Sequence, residues 1–301
     1  AEVDLTTKEV TGIYSAAFED YSKVPVDIDK ADETYAPKTY EGLMGIRMPD
    51  GLSLVSLNGK TYLLTANEGD SRDWNGYENE KKVDFGDEEA SPSGNLTAEN
   101  TGLSKKVTFF DPEDYDGLEA EKDYLFGGRS FTIFEVTENG LSEVYDSADA
   151  FEAKTAEYLP DYFNCSNDNK EVEDRSGKKG PEPESVTVGT VKGQTYAFVT
   201  LERIGGVMVY RITDPTKPVF VNYINTRDFS TKDGLSGDNS PEGLKFIAAS
   251  ESPTGNALLL AACEVGGTVA TYELTTRSSH SDDDYEDDNQ YQGGGSGSGS
   301  S

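Results

Sequence analysis

Between Pro181 and Ile224 the apolar residues alternate with polar ones or run together in short bursts, and they never recur at three-four spacing. Four runs rich in β-branched and aromatic residues follow one another: Ser-Val-Thr-Val-Gly-Thr-Val, Gln-Thr-Tyr-Ala-Phe-Val-Thr-Leu, Gly-Val-Met-Val-Tyr-Arg-Ile and Val-Phe-Val-Asn-Tyr-Ile. The breaks are Val191-Lys192-Gly193, Ile204-Gly205-Gly206 and Asp214-Pro215-Thr216-Lys217-Pro218, which is turn chemistry. Four strands in about 40–45 residues is the size of one β-propeller blade.

The opening of this pattern recurs. Pro49-Asp50-Gly51-Leu52 leads to a run ending Ala66-Asn67-Glu68-Gly69, Pro183-Glu184-Ser185-Val186 to one ending Leu201-Glu202-Arg203, and Pro241-Glu242-Gly243-Leu244 to one ending Cys263-Glu264-Val265. The interval from proline to closing glutamate is 19 residues in the first two copies and 23 in the third, where Ser250 to Asn256 lengthens the hairpin. Each copy is a two-strand unit with an acid at both ends.

Outside the repeat, residues 1–13 read as strand, turn and strand, and residues 15–40 as a polar, ordered loop in which Asp27, Asp29, Asp32 and Glu33 crowd together. Those acids alternate as in a calcium loop but lack the glycine and distant glutamate of an EF-hand, which favours a solvated loop. Residues 69–104 form a long insertion, functional or disordered at that length. Strands are predicted at 106–110, 129–136 and 141–145, a short helix at 148–158, a second polar insertion at 161–179, and a closing strand at 267–274. The expected organisation is one all-β propeller segment over 1–274, then an acidic and Gly/Ser-rich tail over 275–301.

Composition narrows the chemistry. Fifty-seven acids face 26 bases, a formal charge of -31 that repels nucleic acid and anionic membrane and suits divalent cations or simple solvation. No apolar run approaches the roughly 20 residues of a membrane span. The chain opens on Ala1 with no leader, as a processed or cut end would. Its single histidine, His280, lies in the polar tail, which removes serine and cysteine triads and histidine-bound metals from the folded region. Carboxylates, arginines and oxygen-ligated metals remain.

Equivalent blade positions converge on a propeller axis, so Asp50, Glu184 and Glu242 would meet Glu68, Glu202 and Glu264 at one mouth. Converging carboxylates repel unless a cation lies between them. Two readings stand: a Ca²⁺ or Mg²⁺ site drawing on Glu68, Asp70, Asp73, Glu184, Glu202, Glu242 and Glu264, or a scaffold in which Arg72, Arg129 and Arg203 pair with these acids. Arg72 and Arg203 are also candidates for holding an anion such as phosphate by bidentate bonding. Asn95-Leu96-Thr97 and Asn164-Cys165-Ser166 are glycosylation triplets. Cys165 and Cys263, the two cysteines, leave a disulfide and two free thiols both open.

Five stretches carry a resemblance: Asn67-Glu68-Gly69-Asp70-Ser71-Arg72-Asp73, Phe126-Gly127-Gly128-Arg129-Ser130-Phe131, Lys179-Gly180-Pro181-Glu182-Pro183-Glu184, Leu201-Glu202-Arg203-Ile204-Gly205-Gly206 and Ser240-Pro241-Glu242-Gly243. Together they resemble the choice-of-anchor I proteins, secreted β-propellers related to mesenchyme-specific cell-surface glycoproteins of biomineralising animals. The resemblance covers about residues 1–274. It implies a secreted or cell-surface location and further blades ahead of this segment. This chain would then supply about three to four blades, with an N-terminal segment or companion chain completing the ring. Some members of that family are described as alkaline-phosphatase-like, others as surface glycoproteins without a defined reaction. The role implied is a structural or binding module for extracellular assembly, associated with Ca²⁺ and glycosylated. A Ca²⁺-dependent phosphoesterase is the alternative, and a metal-free interaction propeller a third reading. The family usually has asparagine where Cys263 stands and a small residue near Cys165, and two unusual cysteines together favour the disulfide.

Overall fold

In the computed structural model, which describes residues 1–113 and 115–276, the chain opens on an antiparallel hairpin, β1 (Glu2–Asp4) and β2 (Glu9–Gly12). Next, β3 (Phe18–Asp20) pairs antiparallel with β4 (Leu43–Ile46). β5 (Leu52–Leu57) and β6 (Lys60–Ala66) form a hairpin across Asn58-Gly59, both left-handed, which is the turn that matches the twist of paired strands.

The chain then leaves this sheet from Asn67 to Ser130. The excursion holds the short hairpin β7 (Asp73–Trp74) and β8 (Tyr77–Glu78), and an antiparallel pair β9 (Glu80–Asp84) and β10 (Lys106–Phe110). A capped turn of helix, α1 (Ala98–Thr101), lies between β9 and β10, and β11 (Asp123–Phe126) runs parallel to β4. The insertion expected to be a functional or disordered loop is therefore folded. Phe85, Leu96, Leu103, Val107 and Phe109 bury their side chains with Tyr21, Ile28 and Leu43 in a core of its own. The chain returns as β12 (Phe131–Thr137), pairing with β6 with Phe131 opposite Ala66, and as β13 (Gly140–Asp146). One antiparallel four-stranded sheet, β5-β6-β12-β13, thus spans the excursion.

The predicted short helix is α2 (Ala150–Tyr158), whose Phe151 ring stacks on Phe131 at 5.9 Å between centroids. The second sheet is the contiguous meander expected from its pattern: β14 (Pro183–Val191), β15 (Gln194–Leu201), β16 (Val207–Arg211) and β17 (Val219–Ile224). After the small pair β18 (Arg227–Asp228) and β19 (Ser236–Gly237), the third sheet is β20 (Pro241–Ile247), β21 (Ala257–Cys263) and β22 (Thr268–Leu274).

The three large sheets stack face to face, which is why β15 reads as a nearly continuous apolar run. One face of β15 presents Ala197, Val199 and Leu201 to the main core with Leu64, Ala66, Phe131 and Ile133 of the first sheet. The other face puts Phe198 against Leu259 of the third sheet, and its ring stacks on Phe246. A strand covered on both faces has no polar side to alternate with. By contrast β5 leaves Leu52 and Leu54 59% and 67% exposed, while Val55 and Leu57 pack inward. Among the described residues, no helix is long and apolar enough to cross a membrane. Residues 277–301, most of the predicted tail, lie outside the described residues.

Candidate functional site

The repeat prolines mark a shared backbone device. The residue before each one (Met48, Glu182 and Ser240) takes a left-handed conformation, with φ of 45°, 54° and 61°. A side chain there costs free energy, and X-Pro positions normally favour extended backbone. The bend sets the start of each sheet's first strand beside the end of its second. Asp50 N donates to Ala66 O at 2.9 Å, Glu202 N to Glu182 O at 3.0 Å, and Glu264 N to Ser240 O at 2.9 Å.

Two first strands also touch across sheets: Gly51 N donates to Glu184 O at 2.9 Å, and Ser53 Oγ to Val186 O at 2.8 Å. A Cβ at Gly51 would lie 2.6 Å from Glu184 O and 2.7 Å from Ser185 Cα, so alanine would push the strands apart. Gly127, at φ 81°, is equally constrained, since a Cβ there would lie 2.3 Å from the Glu68 carbonyl oxygen.

The acids at these strand ends come together as a chain. One carboxylate oxygen from each of Asp50, Glu68 and Glu184 lies within 4.8 Å of the others, and the same holds for Glu68, Glu182 and Glu202 and for Glu202, Glu242 and Glu264. Glu68 and Glu202 are shared, so the three groups form one acidic band across three sheets. Crowding changes their proton affinity. Burial, joined by Glu182, Glu202 and Asp50, pushes Glu68 up to about 7 against the pull of Lys179. Burial and the Asp50 carboxyl push Glu184 up to about 9. The adjacent Glu264 carboxyl, then burial, raises Glu242 to about 7. Burial and Glu182 also raise Glu202. Glu184 Oε2 is buried without a hydrogen-bond donor.

Glu182 behaves differently. It is fully buried and receives Arg175 Nη2 at 2.8 Å, Lys179 Nζ at 2.6 Å and the Arg203 guanidinium. Burial works to raise its proton affinity, but Arg175, Lys179 and Arg203 outweigh it and hold the carboxyl below its ordinary value. Of the three arginines expected to pair with the repeat acids, Arg203 meets one, Glu202 at 3.8 Å, and is held mainly by Glu182. Around Glu182 the mouth is an arginine- and lysine-paired scaffold, whereas Asp50, Glu68, Glu184, Glu242 and Glu264 form no ion pair with a base among the described residues. Oxygen-only donors at this spacing fit a hard divalent cation.

Other expected site residues fall elsewhere. Asp70 is exposed, with Lys179 Nζ at 3.7 Å, and Asp73 sits exposed on β7; neither joins a carboxylate group among the described residues. Arg203 gives its donors to Glu182 and to Asn167 Oδ1, with Glu202 at 3.8 Å, so it serves the scaffold and is not open to an anion. Arg72 is exposed and lines a cavity of about 450 Å³ together with Asp50, Glu68, Met48, Phe18 and Tyr115. Arg129 lies apart from the mouth, bonding Glu152 at 3.3 Å and the carbonyls of Asp27 and Ser176.

Two expectations are corrected. Cys165 and Cys263 are both buried and free, not a disulfide; the Cys165 sulfur accepts from Arg227 at 3.6 Å, while Cys263 ends β21. Asn164 is fully buried, with Nδ2 donating to Glu152 at 2.7 Å and Ser176 at 2.9 Å, so the folded protein has no room for a glycan there. Asn95 is exposed, its Nδ2 donating to Glu121 O at 2.6 Å.

The choice-of-anchor I domain model matches residues 1–215 of this sequence. The chain belongs to the choice-of-anchor I family. The mesenchyme-specific cell surface glycoprotein of Strongylocentrotus purpuratus is 26% identical over 227 residues, covering 62% of this chain and 28% of that protein. Gigasin-3a of Magallana gigas is 28% identical over 167 residues, covering 51% of this chain and 58% of that protein. This choice-of-anchor I chain thus spans about a quarter to three-fifths of the length of these relatives.

Proposed function

We propose that this chain is a segment of an extracellular, cell-surface β-propeller whose acidic mouth holds Ca²⁺ and which acts in binding and assembly. The observation carrying this reading is the acidic band: three stacked sheets each deliver an acid from the start of the first strand and another from the end of the second to one place. Repeated acids at matching strand ends fit a shared cation better than independent solvation, because crowded carboxylates repel until something positive joins them. A relative named as a cell-surface glycoprotein supports the location, with Asn95 the accessible glycosylation position. The exposed Leu52 and Leu54 on β5 support completion of the ring by another segment or chain. Asp50, Glu68 and Glu184 would hold one ion, with Glu202, Glu242 and Glu264 as a second group beside them.

Native mass spectrometry and calcium calorimetry of the full chain test this. A calcium-sized mass increment lost on chelation, and binding weakened at least tenfold in Glu184→Gln, are the expected results. An unchanged isotherm in that variant would overturn the mouth site. The cavity that brings Arg72 beside Asp50 and Glu68 favours a second reading, a Ca²⁺-dependent phosphoesterase in which Asp50 and Glu68 would hold an ion that supplies an activated nucleophile and Arg72 would steady the phosphate. Calcium-dependent hydrolysis of a phosphate monoester that is lost in Arg72→Ala would separate it from pure assembly.

A further inference from the structure

The acidic loop after Asp27 and the insertion around Glu173 meet at a place sharing no residue with the mouth. One carboxylate oxygen from each of Asp27, Asp32 and Glu173 lies within 4.8 Å of the others. Asp27 and Glu173 are fully buried, while Asp32 is exposed. Glu173 is held by its backbone N–H donating to Phe163 O at 2.7 Å, with Ser176 Oγ donating to its Oε1 at 3.2 Å. Its Oε2 is buried and receives no hydrogen bond. Asp27 accepts Asp29 N at 3.1 Å on Oδ1 and Ala36 N at 2.9 Å on Oδ2, which leaves lone pairs on both oxygens.

A buried carboxylate with one oxygen that has no donor, grouped with two further carboxylates, is an expensive arrangement unless something positive enters. The nearby cations are occupied: Arg129 donates to the Asp27 carbonyl at 2.9 Å and pairs with Glu152, and Lys30 pairs with Asp174 at 3.8 Å. We propose that Asp27, Asp32 and Glu173 form a second Ca²⁺ site, which ties the loop of residues 27–36 to the insertion carrying Glu173. All donors are oxygen, and the exposed side at Asp32 lets water complete the six to eight ligands that Ca²⁺ takes in irregular geometry, whereas Mg²⁺ demands a near-ideal octahedron. Burial, then Asp32 and Asp27, pushes Glu173 up to about 11 in the absence of a cation, so a proton is the competitor for this position.

Hydrogen exchange of the full chain, with and without added Ca²⁺, tests the proposal. Amides of residues 28–36 are expected to gain protection in Ca²⁺. In Asp32→Asn, an exposed and fold-neutral change, the same protection should need at least tenfold more Ca²⁺. Glu173→Gln should abolish it while melting like the wild type in chelator, because an amide NH2 in place of the orphaned oxygen can donate to the neighbouring Asp27 and Asp32 carboxylates; if Glu173→Gln fails to fold, Asp32→Asn decides. Glu184→Gln should leave this protection intact, which keeps the outcome separate from that of the mouth. Loop exchange indifferent to Ca²⁺, or equally sensitive in Asp32→Asn and wild type, would overturn the site and leave a proton as what fills it.

Discussion

Glu182→Gln is expected to be the most damaging single substitution at the mouth, costing about 3–5 kcal/mol. Removing one partner of a buried ion pair leaves the other charge desolvated and unanswered. Here three cations, Arg175, Lys179 and Arg203, converge on one fully buried carboxylate. At roughly 2–4 °C per kcal/mol for a domain of this size, the melting temperature should fall by about 6–20 °C in circular dichroism. Glu202→Gln is the comparison. Glu202 is partly exposed and sees Arg203 at 3.8 Å, so its loss should cost no more than about 1 kcal/mol. Equal losses in the two variants would mean that the cations do not depend on Glu182.

Chelation should make stability fall as pH rises, and calcium should make that fall shallower. In the cation-free protein Glu68 and Glu242 titrate near about 7 and Glu184 near about 9. The same groups in the unfolded chain titrate near about 4.3. Between these limits the folded state binds more protons than the unfolded one. The stability they contribute is complete below about 4.3 and is lost as pH climbs through about 7 for Glu68 and Glu242 and about 9 for Glu184. A bound cation takes the place of those protons and prefers the ionised acids. Calcium at about a hundred times its dissociation constant adds about 2.7 kcal/mol, or roughly 5–11 °C, with the larger gain at the alkaline end. Melts at about pH 5, 7 and 9 in chelator and in calcium give the two profiles. Parallel profiles would exclude the mouth carboxylates as ligands.

Local signals in the sequence account for most of what could be read in advance. The second sheet was legible because its four strands are contiguous between Pro183 and Ile224, each bounded by its own turn residues. The first sheet was legible only in pieces, since β6 finds β12 across the whole excursion and no turn signal links Ala66 to Phe131. The mouth acids followed from the proline-to-glutamate repeat, but Glu182 did not. Its role depends on a left-handed bend before Pro183 that lets Arg175, Lys179 and Arg203 reach it. Asp27 looked like part of a solvated loop because its neighbours are acidic; burial by Glu173 and a core of distant residues leaves no trace in local composition. The same limit explains Asn164, whose triplet is that of a surface sequon while its side chain lies inside a hydrogen-bond network.

The long excursion between β6 and β12 has a consequence for the order in which the chain acquires structure. A ribosome adding about 5–20 residues per second takes roughly 3–13 s to synthesise the stretch from Asn67 to Ser130. During that time β6 has β5 on one edge and nothing on the other, and an open edge invites pairing with another chain. The core containing Phe85, Val107 and Phe109 draws all its members from between Tyr21 and Leu125, so it can close before Phe131 emerges. The inserted module then folds ahead of the sheet it interrupts, and in released chains ending at Phe126 the amides of β10 should resist exchange while those on the open side of β6 do not.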